Sequence, residues 1–523
     1  MAYTVFIPTA GTGSRLGGIT KYLNKSLVSI GNKPTITRIF EMFPEDTRYV
    51  IALGYKGELV REYLSLAHPE KDITLVDIYP YEGSGSGLGF TMLSCAKYLQ
   101  EPFVFCSCDT LVAERIPAPD HNWMGYDNRD NVSQYRTLSF TSEGKIWQIN
   151  EKGKNPESHP EPYIGLAGIH DYKAFWNAMT DHQAQSVAEG EAFGLRQLLP
   201  HGVAAHKFTW FDTGITVELE ATQKRFHQSG DPNILPKADE TIWLLKDRVV
   251  KFSDNVSFIE NRVKRAGLLG GYVPRIMGHT RHMYCYTYVD GDVMSRCVTL
   301  PLFSKLLDYS KHFWTRTDLT EEQKKEFHNS CMKFYRDKTY ERVQVFYRNF
   351  DREDNAFVIN GREYPALQAM LDRVDWEYVA DGMAGQFHGD FHFENILYDK
   401  GKDEFCFLDW RQCFDKSISV GDIYYDLGKM LHGLIMCHEL VARNLFEVSW
   451  QGSEIKYDFN RKHILVQCEE FYYRWLGKNG YDEKKTRLMA ALIFLNICGL
   501  HEYPYSLVLY ALGKEMLYNS LNE

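Results

Sequence analysis

A chain of 523 residues is too long for one ordinary hydrophobic core, so two or more domains are expected. Its composition, 44% hydrophobic and 24% charged, is that of a folded globular protein without long low-complexity tracts. A formal charge of −10 argues against broad nucleic-acid binding, which needs a basic surface to replace phosphate counterions, but leaves room for a local phosphate pocket.

No apolar run approaches the roughly 18–20 residues that span a bilayer. The segment from Met1 to Pro8 lacks the basic start and cleavage site of a signal peptide and reads as a first strand. Eleven cysteines are scattered without CxxC pairs, and Cys106 and Cys108 read as buried strand thiols rather than a metal site. Free thiols without an export signal make the cytoplasm the expected location.

In chain order, β-branched runs at Thr4–Pro8, Tyr49–Leu53, Ile73–Asp77 and Phe103–Cys106 predict strands. Between them, Pro34–Met42, Lys56–Leu66 and Phe90–Tyr98 read as helices, which predicts an α/β, Rossmann-like domain: a mostly parallel sheet covered on both faces. The alternation loosens after residue 113 and resumes with a strand at Tyr163–His170 and a helix at Tyr172–Met179. The polar, proline-rich stretch 229–236 is the best linker, dividing the chain into domains 1–228 and 237–523. Beyond it, Thr241–Leu245 and Arg248–Phe252 predict a hairpin, and a helix is expected from about Ser257. Past residue 300 the chain is chiefly amphipathic helix, so a bilobal α+β domain with a large helical lobe is expected.

The first strand runs into Ala10-Gly11-Thr12-Gly13-Ser14-Arg15-Leu16-Gly17-Gly18. Glycines here let backbone N–H groups encircle phosphate oxygens, and Arg15 adds charge at the same place. Such a loop alone is a weak signal. Lys25 follows ten residues after Arg15, and Ile30-Gly31-Asn32-Lys33-Pro34 then opens a helix. Over residues 4 to 225 this series resembles the sugar-nucleotide and phosphocholine nucleotidyltransferases. It departs from their pattern at Asn24, where proline is usual, and at the extra polar residue in Asn32-Lys33.

The resemblance implies roles for later landmarks. Gly85, Ser86 and Gly87 fall in Gly85–Gly89, the loop expected to contact base and ribose. Asp109, after Cys106-Ser107-Cys108, and Asp212, in Trp210-Phe211-Asp212-Thr213, match the family's Mg²⁺-binding aspartates. Asn150-Glu151-Lys152 matches a Glu-Lys-Pro motif with Gly153 in place of proline. Transfer of a nucleotidyl group to a phosphate monoester brings two anions together, so charge must be neutralised and the attack aligned. Arg15 and Lys25 would steady the triphosphate, and Lys152 would hold the monoester. Any one of these residues read alone is a surface charge; five in the family's order are a site.

The sharpest motif is Phe387-His388-Gly389-Asp390-Phe391-His392-Phe393-Glu394-Asn395, with the His-x-Asp-x-x-x-x-Asn spacing of kinase catalytic loops. Fourteen residues after Asn395 stands Asp409, at the end of Phe407-Leu408-Asp409. Phosphoryl transfer needs an oriented hydroxyl and metal ions on the triphosphate, which gives Asp390 the hydroxyl and its proton, and Asn395 and Asp409 the Mg²⁺. His388 reads as a structural brace, and His392 as a pocket or packing residue rather than a ligand.

Upstream, Val249-Val250-Lys251-Phe252 resembles the lysine-bearing strand of kinase-like folds, and Glu260 lies nine residues on. Lys251 would contact the α- and β-phosphates, with Glu260 holding it, and adenine is expected beside residues 286–290. Residues 240 to 440 resemble the aminoglycoside phosphotransferase and choline kinase family, because His-Gly-Asp and Asp409-Trp410 replace the protein-kinase forms. In that family a segment like Gly421–Leu427 supports the catalytic loop. Choline kinases hold a quaternary ammonium against aromatic rings. Trp314, Tyr340, Phe346, Trp376, Phe471, Tyr472, Tyr473 and Trp475 are candidates, but aromatics at helical spacing are more often core.

The two resemblances imply successive steps. A kinase makes a phosphate monoester from choline, ethanolamine or a polyol with ATP, and a nucleotidyltransferase activates it with CTP or another triphosphate, for decoration of a surface polysaccharide or lipid. One alternative is a sugar kinase with a sugar-1-phosphate nucleotidyltransferase. Another makes one head a regulatory module, which the full carboxylate set of each head argues against. The expected partners are a small alcohol and nucleoside triphosphates, with no nucleic acid and no membrane insertion.

Overall fold

The structure, a computed structural model, describes residues 2–129, 132–153, 161–227 and 239–522. The linker expected at 229–236 lies outside them. The chain forms two compact units, one of residues 1–256 and 277–288, the other of 257–276 and 289–523.

The first unit is built on a mixed sheet. Strands Ile73–Asp77, Arg48–Leu53, Thr4–Pro8 and Phe103–Cys106 lie side by side in that order, all parallel. Strand Glu161–Ile169 then adds antiparallel against Phe103–Cys106 and carries the sheet into irregular antiparallel pairings. The four predicted strands thus sit within a residue of their expected bounds, while the loosened pattern after residue 113 becomes the antiparallel part.

Alternation along the first strand shows why both faces are covered. Val5 and Ile7 are buried with Ile36, Ile39, Val60 and Tyr63 from helices Thr35–Glu41 and Gly57–Ala67. Phe6, between them, joins Met92, Cys95, Phe175 and Trp176 on the opposite face. A strand buried on both faces reads as a continuous apolar run, as this one does.

The predicted hairpin forms from Glu240–Leu244 and Arg248–Ser253, with Met283–Thr287 pairing beside it. Its compact unit differs from the expected division at residue 228. Trp243 is fully buried with its ring 4.9 Å from that of Tyr63, and its indole N–H donates to Ser29 Oγ at 3.1 Å. His282 and Thr280 also bond to Glu62. Long-range packing of this kind leaves no trace in a local composition shift, so these strands cluster with the first unit.

The second unit is chiefly helical. Helix Ile423–Ile435 is buried almost throughout, and helices His463–Lys478 and Glu483–Ile497 pack on it. Helix Glu321–Met332 starts at a capping box between Thr320 and Gln323, satisfying two otherwise orphaned N–H groups. It widens into a π-turn at Lys333–Asp337 before continuing as Lys338–Asn349. Among the described residues no helix is long and apolar enough to cross a membrane.

Candidate active sites

In the first unit, chain order reverses beside the first strand: the second strand follows on one side, the fourth on the other. Ligands of open α/β sheets bind at the carboxyl ends of the strands at such a point. Both Gly11–Gly18, which follows the first strand, and Ser107–Asp109, which follows the fourth, lie there. Gly13 adopts φ +65° as the loop turns into the 3₁₀ helix Ser14–Lys21, a conformation that disfavours a side chain.

Asn24, the departure from proline, fixes this loop. Its buried amide donates to Thr9 O at 3.0 Å and Tyr55 O at 2.6 Å, and its oxygen accepts from Ser26 N at 2.9 Å. It therefore ties the end of the first strand to Lys25, the next residue.

Strand Trp210–Asp212 pairs antiparallel with Thr110–Val112, setting Asp212 opposite Thr110 and next to Asp109. A Cβ at Gly214 would lie 2.9 Å from Asp109 Oδ2 and 2.9 Å from Asp212 Oδ1, so both carboxylates converge there. Lys25 pairs with Asp109, and Ser107 Oγ donates to the other oxygen. Burial alone would raise the Asp109 carboxyl, but Lys25, Ser107 and Arg15 hold it down at about 2. Burial and the neighbouring Asp109 push Asp212 up instead, against hydrogen bonds from Gly214 N at 2.7 Å and Tyr135 at 2.8 Å. Two carboxylates that repel each other this way favour a cation between them.

Partial desolvation of the Lys152 ammonium, together with the nearby Arg15 and Arg136, lowers its pKa. Arg15, Lys25 and Lys152 are thus each within electrostatic reach of Asp109. Gly85 and Gly87 take φ +82° and +133° in an exposed turn, and Ser86 Oγ donates to Gly83 O at 2.7 Å. Sequence reading missed Tyr135, Ser107 and the cluster in which Arg136 and Arg196 both bind Glu151, the residue before Lys152. The acidic residue of Asn150-Glu151-Lys152 was a usable signal for that cluster.

In the second unit, hairpin strands Ile396–Asp399 and Glu404–Phe407 separate the catalytic-type loop from Asp409. Leu408 N donates to Asn395 O at 2.7 Å and Arg411 N to His388 O at 2.8 Å, binding the two segments together. His388 is the expected brace: Asp390 N donates to its Nδ1 at 3.2 Å, so the proton sits on Nε2 and goes to Leu408 O at 2.8 Å. Burial drives its pKa down to about 3, keeping it neutral. The acidic segment supports the loop through Asp426, which accepts from His388 N and Gly389 N, both at 2.6 Å, and from Trp314 at 3.0 Å.

Asp390 lies 2.8 Å from Lys429 Nζ and accepts from Asn395 Nδ2 at 3.0 Å. Burial opposes its ionisation, but Lys429 and His392 hold it well below the usual carboxylate range. His392 is buried, with its Nε2 3.5 Å from Asp390 Oδ2 and 3.2 Å from the Asn395 amide nitrogen, facing the polar residues of the loop. Asp409, at φ +54°, pairs with Arg262 at 2.8 Å. Glu260 is more than half exposed and lies 3.7 Å from Lys264. Lys251 is buried on an inner strand of its four-stranded sheet in the other unit, opposite Ile242 and Tyr284.

Lys429 was missed, though its signal was present: with Asp426 it places charge three residues apart on an apolar, buried helix. Arg262 had no local signal. Of the aromatic candidates for an ammonium cage, Trp314, Phe346, Tyr472 and Trp475 are buried in the core and the other four are partly exposed. Phe346 stacks on Tyr510 at 4.6 Å, and Trp475, 6 % exposed, stacks on Tyr472 at 6.1 Å.

The donor sets suit Mg²⁺, which usually takes one or two carboxylates plus substrate phosphates rather than an all-protein cage. Asp109 with Asp212, and Asp409 with the Asn395 amide oxygen, offer such hard oxygens. Among the described residues, no group of three or more His, Cys, Asp or Glu is arranged to hold a metal.

Residues 333–445 match the phosphotransferase enzyme family. The chain is 23% identical over 162 residues to the UTP–glucose-1-phosphate uridylyltransferase AglF of Haloferax volcanii, covering 29% of this chain and 65% of that protein. It is 26% identical over 234 residues to the low-salt glycan biosynthesis nucleotidyltransferase Agl11 of the same organism, covering 41% of this chain and 64% of that one. The chain thus spans less than two thirds of the length of either relative. Among solved structures it is similar to the CTP:phosphocholine cytidylyltransferase LicC of Streptococcus pneumoniae, at 13% identity and a TM-score of 0.38, covering 43% of this chain and 99% of that one. Residues 333–445 thus match a phosphotransferase-family model, and the chain is similar in sequence to sugar-nucleotide nucleotidyltransferases.

Proposed function

We propose that the chain is a bifunctional enzyme. The C-terminal domain phosphorylates a small alcohol with ATP, and the N-terminal domain transfers a nucleotidyl group to the resulting phosphate monoester and releases pyrophosphate. The observation that carries this reading is that one chain holds two separate carboxylate centres. Asp109 and Asp212 converge over Gly214, within electrostatic reach of Arg15, Lys25 and Lys152. Asp390 is presented by a braced loop with the kinase spacing.

In the first reaction Asp390 orients the acceptor hydroxyl and receives its proton. In the second, Arg15 and Lys25 neutralise the incoming triphosphate, the Gly85–Gly87 turn meets base and ribose, and Lys152 positions the monoester for attack on the α-phosphorus. Mg²⁺, when bound by the aspartates, neutralises the triphosphate oxygens. CTP is the preferred nucleotide, and choline, ethanolamine and polyols are the acceptors to examine. Eleven free cysteines support a reducing, cytoplasmic setting.

A second reading, a sugar kinase with a sugar-1-phosphate nucleotidyltransferase, draws support from the sugar-phosphate substrate named for AglF. Pyrophosphate release from CTP, UTP, dTTP and GTP, each with phosphocholine, glycerol phosphate and glucose 1-phosphate, separates the two. CTP with a non-sugar monoester is expected to be the best pair. UTP or dTTP with the sugar phosphate would favour the second reading.

A further inference from the structure

The surroundings of Asp390 carry more positive charge than their carboxylates balance. Lys429 already pairs with Asp390. Arg411 flanks the loop: its N–H donates to His388 O, and a Cβ at Gly389 would meet Arg411 Cβ at 2.5 Å. Its guanidinium carbon lies 4.9 Å from the centroid of Phe334, and Lys338 Nζ lies 4.1 Å from that same ring. Phe334 is in the π-turn Lys333–Asp337, a helix irregularity often found at functional sites. Arg342, one turn beyond Lys338, has a buried Nε without a hydrogen-bond partner.

Among the described residues, none of Lys338, Arg342 and Arg411 has a carboxylate at ion-pair distance. Burial first, and then Arg411, Arg342 and Lys429, lower the Lys338 ammonium to about 7 against the opposing pull of Asp390. Cations without carboxylate partners, gathered beside the partly exposed Asp390, repel one another, and a bound anion relieves that cost. The same arrangement opposes a cationic acceptor. Phe334 already carries two of the chain's own cations against its ring, which leaves little of that face for a quaternary ammonium.

We propose that the phosphoryl acceptor is an alcohol that itself bears an anionic group, a carboxylate or a phosphate, seated against Lys338, Arg342 and Arg411. This rests on the phosphotransferase reading above. The acceptor hydroxyl oxygen bonds to the γ-phosphorus of ATP, the bond from that phosphorus to the β,γ-bridging oxygen breaks, ADP leaves, and the hydroxyl proton passes to Asp390. Lys338, Arg342 and Arg411 are positioning and specificity residues rather than participants in that exchange.

The test compares ADP release by the full chain with glycerate, glycerol 3-phosphate, glycerol and choline. One of the two anionic alcohols should exceed glycerol and choline by at least about tenfold in kcat/KM, the discrimination a site built for one polar group can supply. Preference for glycerate identifies a hydroxy acid, and preference for glycerol 3-phosphate a phosphorylated alcohol. Lys338→Met should raise the KM of the anionic acceptor about tenfold with the KM for ATP unchanged, Lys338→Arg should restore it, and Lys338→Glu should shift preference toward choline. An unchanged ATP KM also reports that the domain is folded. Faster turnover of glycerol or choline, or a Lys338→Met effect on ATP alone, overturns the charge inference and leaves the kinase reading standing. ADP release from none of the four overturns both.

Discussion

The Lys429 ammonium lies 2.8 Å from Asp390 Oδ1, with the lysine buried and the aspartate about one-third exposed. The pair joins the catalytic-type loop to helix Ile423–Ile435, whose Asp426 also accepts the N–H groups of His388 and Gly389. One helix thereby sets both the path of the loop and the orientation of its aspartate. Lys429→Met should lower kcat for ADP release by about a hundredfold, the scale of losing one oriented charge in a buried site. Steady-state kinetics check this, with pyrophosphate release as the internal control.

Asp426 gives the kinase step its pH dependence. Burial raises its carboxyl to about 6 despite three N–H donors. Protonation turns one acceptor oxygen into a donor and slackens the loop, so ADP release should fall as pH drops through about 6. Stability moves the other way. The folded state binds the proton more tightly than the unfolded one, so the stabilising contribution is full below about pH 4 and is lost as pH rises to 6. In Asp426→Asn, the amide faces backbone N–H donors, so activity should be low and flat across this range. A pH–rate profile of both forms is the measurement.

Asn24 should matter to stability more than a loop residue usually does. Asn24→Ala removes the donor to two buried carbonyls and should cost about 3 kcal/mol, the scale of leaving such groups unsatisfied. Asn24→Asp, which sets a carboxylate against the same carbonyls, should cost more. Denaturant unfolding followed by fluorescence ranks the two.

Tyr135 holds Asp212 by a 2.8 Å hydrogen bond. Tyr135→Phe should lower kcat for pyrophosphate release by about tenfold, the weight of a hydrogen bond to a charged group. ADP release should not change. Initial rates of the two products, followed in parallel, decide it.

The legible parts of this chain were those written locally. Strand Thr4–Pro8 announces itself because both its faces are buried, and the Asp390 loop because kinase chemistry fixes the spacing of its polar residues. Lys152, Asp109 and Asp212 came only through resemblance, since each is an isolated charge in sequence. The contacts that escaped are long-range: Trp243 against Tyr63, Arg262 against Asp409, Lys429 against Asp390. Their partners stand tens to hundreds of residues apart, and nothing in either local segment marks the other.

The central claim is that two reactions run in series on one chain. Phosphorus NMR of a single mixture of the protein, ATP, CTP, Mg²⁺ and the preferred alcohol tests it most directly. A phosphate monoester should appear first and give way to a nucleoside diphosphate-linked product with pyrophosphate. Asp109→Asn should stop at the monoester, while Asp390→Asn should form no product until the monoester is supplied. An Asp390→Asn chain that still makes the monoester from ATP and alcohol would contradict the account.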